Sequence, residues 1–137
     1  ISTSSGRVRP LEGKDRKAAR RIARNTPIQS VAADLTKAAM LALDSRLREE
    51  RKKPDGVRAW IVHQNHDDLI VETTSECVQR VEEIMKKELG EAWRHRERLL
   101  FLSDSLSDRG EKKKRDEKQE PLLPVSISHG PTWADCD

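Results

Sequence analysis

Gln64-Asn65-His66-Asp67-Asp68 sets two adjacent carboxylates between two apolar, β-rich runs. Neighbouring carboxylates at a tight turn repel each other unless water or cations screen them. Magnesium meets that need, because it prefers carboxylate oxygens and keeps several waters and substrate phosphates in its shell. In two-metal phosphoryl transfer, such carboxylates hold cations about 4 Å apart, which activate an attacking hydroxyl and steady the leaving oxygen. Asn and Asp are also ordinary turn residues at a solvated hairpin tip, so the pair alone does not fix the chemistry. His63 and His66 suggest a transition metal, and with Asp67 a metal-dependent hydrolase. Their spacing of three does not suit one strand face, however, and Cys77 is poorly placed as a further ligand.

A second group lies some forty residues earlier. Arg21, Asn25 and Gln29 recur at intervals of four, so a continuous helix would carry them on one face. Amide and guanidinium donors in such a row can reach the N3 and O2 acceptors that all base pairs present in the minor groove. The plainer alternative is that Gln29 caps a helix and Arg21 is solvated. Residues 7–24 add eight basic residues against Glu12 and Asp15, a local excess suited to a phosphate backbone. A non-enzymatic nucleic-acid-binding module built on this stretch is the rival to an enzyme.

The elements that must position these groups follow from periodicity. Residues 1–14 read as loop, and residues 15–25 suit a short helix. Thr26-Pro27-Ile28-Gln29 is a helix start: Thr26 as N-cap, Pro27 at the first position, Gln29 closing a capping box. Ile28, Val31, Leu35, Ala39, Leu43 and Leu47 continue at helical spacing, so a helix is expected to about residue 52, before Lys53-Pro54-Asp55-Gly56. Strands are expected over 57–64 and 69–72, with a four-residue turn at Asn65–Asp68. Thr73 or Ser75 then caps a third helix with Val78, Val81, Ile84, Met85, Leu89 and Trp93 on its apolar face. A last strand is expected from Leu122 to Ser128. Trp133, after Gly130-Pro131, reads as a packing anchor.

Composition bounds the whole. Of 137 residues, 34% are hydrophobic, 37% charged and 3% aromatic, with a net charge of +3. The apolar residues cluster over about 28–93, so a core built from this chain alone is small and leaves little margin over conformational entropy. The expectation is a piece of a larger protein. Residues 94–120 carry a mixed charge run at 111–118 and read as a solvated, disordered insertion, with Leu99-Leu100-Phe101-Leu102 as its one apolar patch. No run approaches membrane-spanning length. Cys77 and Cys136 lack metal or redox spacing and fit an intracellular protein with free thiols, its compartment left open.

Taken together, four segments resemble the C-terminal part of the family A DNA polymerases, the group of bacterial DNA polymerase I and the single-subunit phage replicases. Gly6-Arg7-Val8-Arg9-Pro10-Leu11 is similar to a Gly-Arg-Arg-Arg-x-Leu-Pro segment. Residues 21–34, RIARNTPIQSVAAD, resemble R-x-A-x-N-T-P-I-Q-G-x-A-A-D. Gln64 to Leu69 resembles Q-V-H-D-E-L, and Gly130 to Asp137 resembles a closing G-x-x-W segment. Asp68 stands for a Glu, Ser30 for a Gly, and Arg24 and Asn65 for apolar residues. The resemblance covers about 6–93 and 121–137. It implies an α+β, palm-type fold: an antiparallel hairpin and a returning C-terminal strand on long helices. Residues 1–93 and 121–137 would belong to the polymerase domain. It further implies Asp67 and Asp68 as magnesium ligands, His66 beside the primer terminus, and Arg21, Asn25 and Gln29 on the primer–template DNA. Arg7, Arg9 and Gln64 complete the implied DNA-contacting set. Deoxynucleoside triphosphates would be substrates. The family's other catalytic aspartate and its nucleotide-handling fingers helix are absent, so this chain by itself is expected not to synthesise DNA.

Overall fold

The computed structural model describes residues 1–3, 6–97 and 122–136. It is an α+β arrangement: helix α1 (Arg16–Arg51), a hairpin of strands β1 (Ala59–Asn65) and β2 (Asp68–Thr73), and helix α2 (Val78–Gly90). Short 3-10 turns at Ser75–Cys77 and Trp133–Asp135 complete it.

α1 is 36 residues long, roughly 54 Å at the usual rise. Asp15 starts it, its carboxylate accepting the Ala18 N–H at 2.8 Å. The helix runs straight through the start expected at Thr26, and Pro27 lies inside it. The two helices expected at 15–25 and 26–52 are therefore one. Breaking the chain at Thr26 would create two helix ends, each with several unpaired backbone groups. Continuing leaves only the Ala23 carbonyl without its helical donor, because Pro27 has no N–H. Thr26 is accordingly not a cap. It is buried, and the Arg9 guanidinium donates to its hydroxyl at 3.4 Å. Ile28, expected on the apolar face, is 72% exposed.

The helix ends where Lys52 N–H reaches back to the Glu49 and Glu50 carbonyls. Gly56 is forced there: a Cβ at this position would lie 1.7 Å from the Glu50 carbonyl oxygen. The chain then enters β1, and Leu43, Leu47, Val57, Ala59 and Val81 form the main buried cluster. Burying each large aliphatic side chain contributes about 1.5–3 kcal/mol. Ile61, Leu69 and Val71 of the hairpin and Ile84 and Met85 of α2 pack against it. A second cluster joins Leu35 and Ala39 to Ala92, with Trp93 and Leu123 beside them. The hairpin thus sits on the C-terminal half of α1.

Two further expectations change. Neither Thr73 nor Ser75 caps α2: the Thr73 hydroxyl donates to the Arg58 carbonyl at 2.9 Å, and Ser75 opens the 3-10 turn. The C-terminal strand is not formed among the described residues, where the only sheet is the two-stranded hairpin. Residues 122–127 alternate exposed and half-buried side chains, as a strand would. But Pro124 supplies no donor, and the neighbour is a helix end rather than a sheet edge, giving one bond from Leu123 N–H to the Gly90 carbonyl at 3.0 Å. Residues 92–97 are helical, beyond the start expected for the insertion. Its apolar patch and charged run lie outside the described residues.

Candidate active-site hairpin and nucleic-acid face

β1 and β2 pair antiparallel, Ala59 opposite Thr73 and Asn65 opposite Asp68. The turn is therefore two residues, His66 and Asp67, rather than four. A two-residue connection between right-twisted strands needs a left-handed residue, and His66 supplies it with φ 53°. A non-glycine residue held there costs about 1 kcal/mol or more. The Gln64 side-chain amide braces the tip, donating to the His66 carbonyl at 3.1 Å. So Gln64 is tied to the turn. The register shifts between Ile61 and His63, a bulge at Val62 that lets seven residues of β1 face six of β2. Such a bulge strengthens local twist and re-aims the residues beyond it, here the acidic tip.

Asp67 and Asp68 are exposed, and their carboxylates make no hydrogen bond or ion pair among the described residues. They are thus open as oxygen ligands. Two free, adjacent carboxylates fit part of a magnesium shell, which needs only one or two protein carboxylates beside water and phosphate. Among the described residues no three His, Cys, Asp or Glu side chains converge as a metal cluster.

The hairpin's outer face meets the C-terminal tail. Trp133 lies 5.6 Å from the His63 ring, tilted at 45°. It is held by a closed 3-10 turn, in which Thr132 N–H donates to the Asp135 carboxylate at 3.1 Å. Gly130 permits that turn, since a Cβ there would come within 2.6 Å of Asp135. Trp133 remains 66% exposed, so the packing expected of it takes the form of a ring laid on a strand. His63 is engaged with this ring.

The other sequence-selected group is on the N-terminal half of α1. Arg9, Arg21, Ile22, Asn25 and Gln29 line one open recess of about 220 Å³. The structure therefore gathers four of the residues singled out for DNA, Arg9 among them. Arg7 is placed differently: its guanidinium is paired with Asp34, where it clips residues 6–9 onto α1. Arg9 N–H donates to the Ile1 carbonyl at 2.8 Å, closing the same strap. Among the described residues no hydrogen bond or ion pair joins the hairpin tip to Arg21, Asn25 or Gln29.

The sequence reading missed Glu50. It is 1% exposed and meets Arg80 at 2.7 Å, Arg46 at 3.0 Å and Lys53. The Lys53 hydrogen bond, then the charges of Lys53, Arg80 and Arg46, hold its carboxyl below the ordinary 4.5 against the opposing effect of burial. Arg80 also donates to the Asp55 carbonyl at 2.8 Å. Glu50 thus ties the end of α1, the following turn and α2 together at the base of the hairpin. Arg46 and Lys53 stand at helical pairing distance from it in sequence, whereas Arg80 is thirty residues away and gave no signal.

The model of DNA polymerase family A matches residues 1–134. The chain belongs to this family. Its hairpin tip and the Arg21–Gln29 face are thus family A segments. Relatives include DNA polymerase I of Geobacillus stearothermophilus, 48% identical over 63 residues, covering 46% of this chain and 7% of that protein. DNA polymerase I of Bacillus caldotenax is 46% identical over 63 residues, again 46% and 7% of the two chains. That of Chloroflexus aurantiacus is 35% identical over 99 residues, covering 69% of this chain and 10% of that protein. The chain therefore spans about a tenth or less of the length of these relatives. No solved structure matches it significantly.

Proposed function

We propose that the chain is the palm-type segment of a family A polymerase that carries one carboxylate turn of the catalytic site and one face of the duplex-binding surface. The supporting observation is the hairpin tip. A left-handed His66, braced by Gln64, presents two exposed and unpaired carboxylates. In the complete enzyme the primer 3′-hydroxyl attacks the α-phosphate of a deoxynucleoside triphosphate, and pyrophosphate leaves. Asp67 and Asp68 would hold magnesium there, and an upstream aspartate would complete the two-metal site. Bound magnesium supplies the charge neutralisation that phosphoryl transfer requires.

The protein's own work is positioning. Strain at His66 and the bulge at Val62 fix where the Asp67 carboxylate stands. Arg21, Asn25 and Gln29 donate to minor-groove acceptors and hold the primer–template duplex without reading its sequence. One carboxylate turn cannot organise both cations, so the isolated chain does not polymerise DNA.

Asp67→Ala in the complete polymerase tests this reading. Primer extension should fall by on the order of 10²-fold or more, the scale of removing one electrostatic stabiliser, while primer–template affinity stays within a fewfold. Extension within a fewfold of the parent would remove Asp67 from the metal site. The basic-module alternative predicts instead salt-dependent DNA binding by the chain and no effect of Asp67→Ala in any context.

A further inference from the structure

The two halves of α1 treat charge differently. In the C-terminal half acids are interspersed with the cations, and Arg48 pairs with Asp44 at 2.9 Å and Arg46 with Glu49 and Glu50. From Arg16 to Ala33 there are five cations and no Asp or Glu. Lys17, Arg20 and Arg24 are exposed and make no ion pair or side-chain hydrogen bond among the described residues. At about 100° per residue they share one side of the helix. Ala19, Ile22, Ala23 and Thr26, half-buried or buried, take the opposite side. All three cations line the same open concavity as Arg21 and Asn25.

Folding stability does not account for this arrangement. The first turns of a helix carry the positive end of its dipole, where acids stabilise and bases do not. Beyond the Asp15 cap, α1 has no acid in its first turn. A solvated face would intersperse both signs, as the other half does. Unpaired cations gathered on one exposed face fit an external polyanion.

We propose that Lys17, Arg20 and Arg24 form a second DNA contact, a row that takes duplex phosphates beside the groove-facing Arg21, Asn25 and Gln29. The assignment rests on the polymerase reading above and adds to it a sequence-independent, salt-sensitive grip. Successive side chains three and four residues apart rise roughly 4.5–6 Å along the helix. A duplex offers one phosphate charge per roughly 1.7 Å of axis. Each cation can therefore meet its own phosphate. Arg21 and Asn25 lie beside the row, so one docked duplex engages both.

The test measures primer–template affinity of the complete polymerase against salt concentration. Each lost phosphate contact should flatten the log–log slope by about 0.9. Combining Lys17→Gln, Arg20→Gln and Arg24→Gln should flatten it by about 2.7, equally for unrelated duplex sequences. Single Arg24→Lys should retain the slope. A charge-matched control, Lys37→Gln with Arg48→Gln and Lys86→Gln, should leave it unchanged. The proposal is overturned if the triple variant keeps the parental slope, or if the control flattens it as much. Gln29→Ala separates the two readings: lower affinity at constant slope supports the groove contact on its own. If neither Gln29→Ala nor the triple variant alters binding, the duplex-binding reading fails with the phosphate row.

Discussion

At the residue scale, the tip turns on His66. Its left-handed backbone is a conformation that glycine adopts freely and histidine at a cost of about 1 kcal/mol. His66→Gly should therefore raise thermal stability slightly, by up to about that amount, since the strain is relieved. Primer extension by the complete polymerase should nevertheless fall, because the glycine loosens the carboxylate beside it. Differential scanning of the variant and single-turnover extension read the two effects separately. Unchanged extension would mean that the strain serves nothing. The acidic pair, the histidine and the Arg21-Asn25-Gln29 spacing were all legible as residue types. The left-handed angle and the Gln64 brace were not, because the turn's length depends on which residues pair across it, and the bulge at Val62 shifts that register.

At the element scale, the hairpin is positioned from its base. Glu50 links α1 to α2 through Arg80 and to the intervening turn through Lys53. Its carboxyl is held below the ordinary 4.5. A depressed folded value adds stability at neutral pH and loses it as pH falls below about 4.5 through the folded value. Glu50→Gln should therefore lower stability at pH 7 and flatten the acid limb of the stability–pH curve, as followed by denaturant unfolding. The three cations are about half-exposed, so solvent screening holds the loss to about 1 kcal/mol. α1 carries a second element-scale consequence. Pro27 leaves the Ala23 carbonyl without a helical donor, and Pro27→Ala should stabilise the chain by up to about 3 kcal/mol, visible as a higher melting temperature. Periodicity made both helices and the hairpin legible. The fusion across Thr26 was hidden because the same residues are the best available helix start, and only the strap carrying Arg9 to the Thr26 hydroxyl shows the interior alternative. The alternation over 122–127 was read correctly from the sequence, but pairing also needs a free sheet edge and a donor at Pro124.

At the scale of the whole molecule, the residues proposed to contact DNA lie on the N-terminal half of α1, and the acidic turn belongs to the hairpin packed on the half that carries the main core. Four ordered segments made the family legible, and the match over residues 1–134 establishes it. What belongs to the rest of the enzyme was legible only as a lack: one carboxylate turn cannot serve a two-metal reaction. The isolated chain should accordingly give no magnesium-dependent extension of a labelled primer. The central claim concerns Asp67, and manganese reports on it most directly. In the complete polymerase bound to primer–template and a non-reacting nucleotide, manganese substituted for magnesium can be located by anomalous diffraction. The account expects an Asp67 carboxylate oxygen at about 2.1 Å from the ion, with the ion beside the primer 3′ end. Manganese bound at that end with the Asp67 carboxylate facing solvent would contradict it.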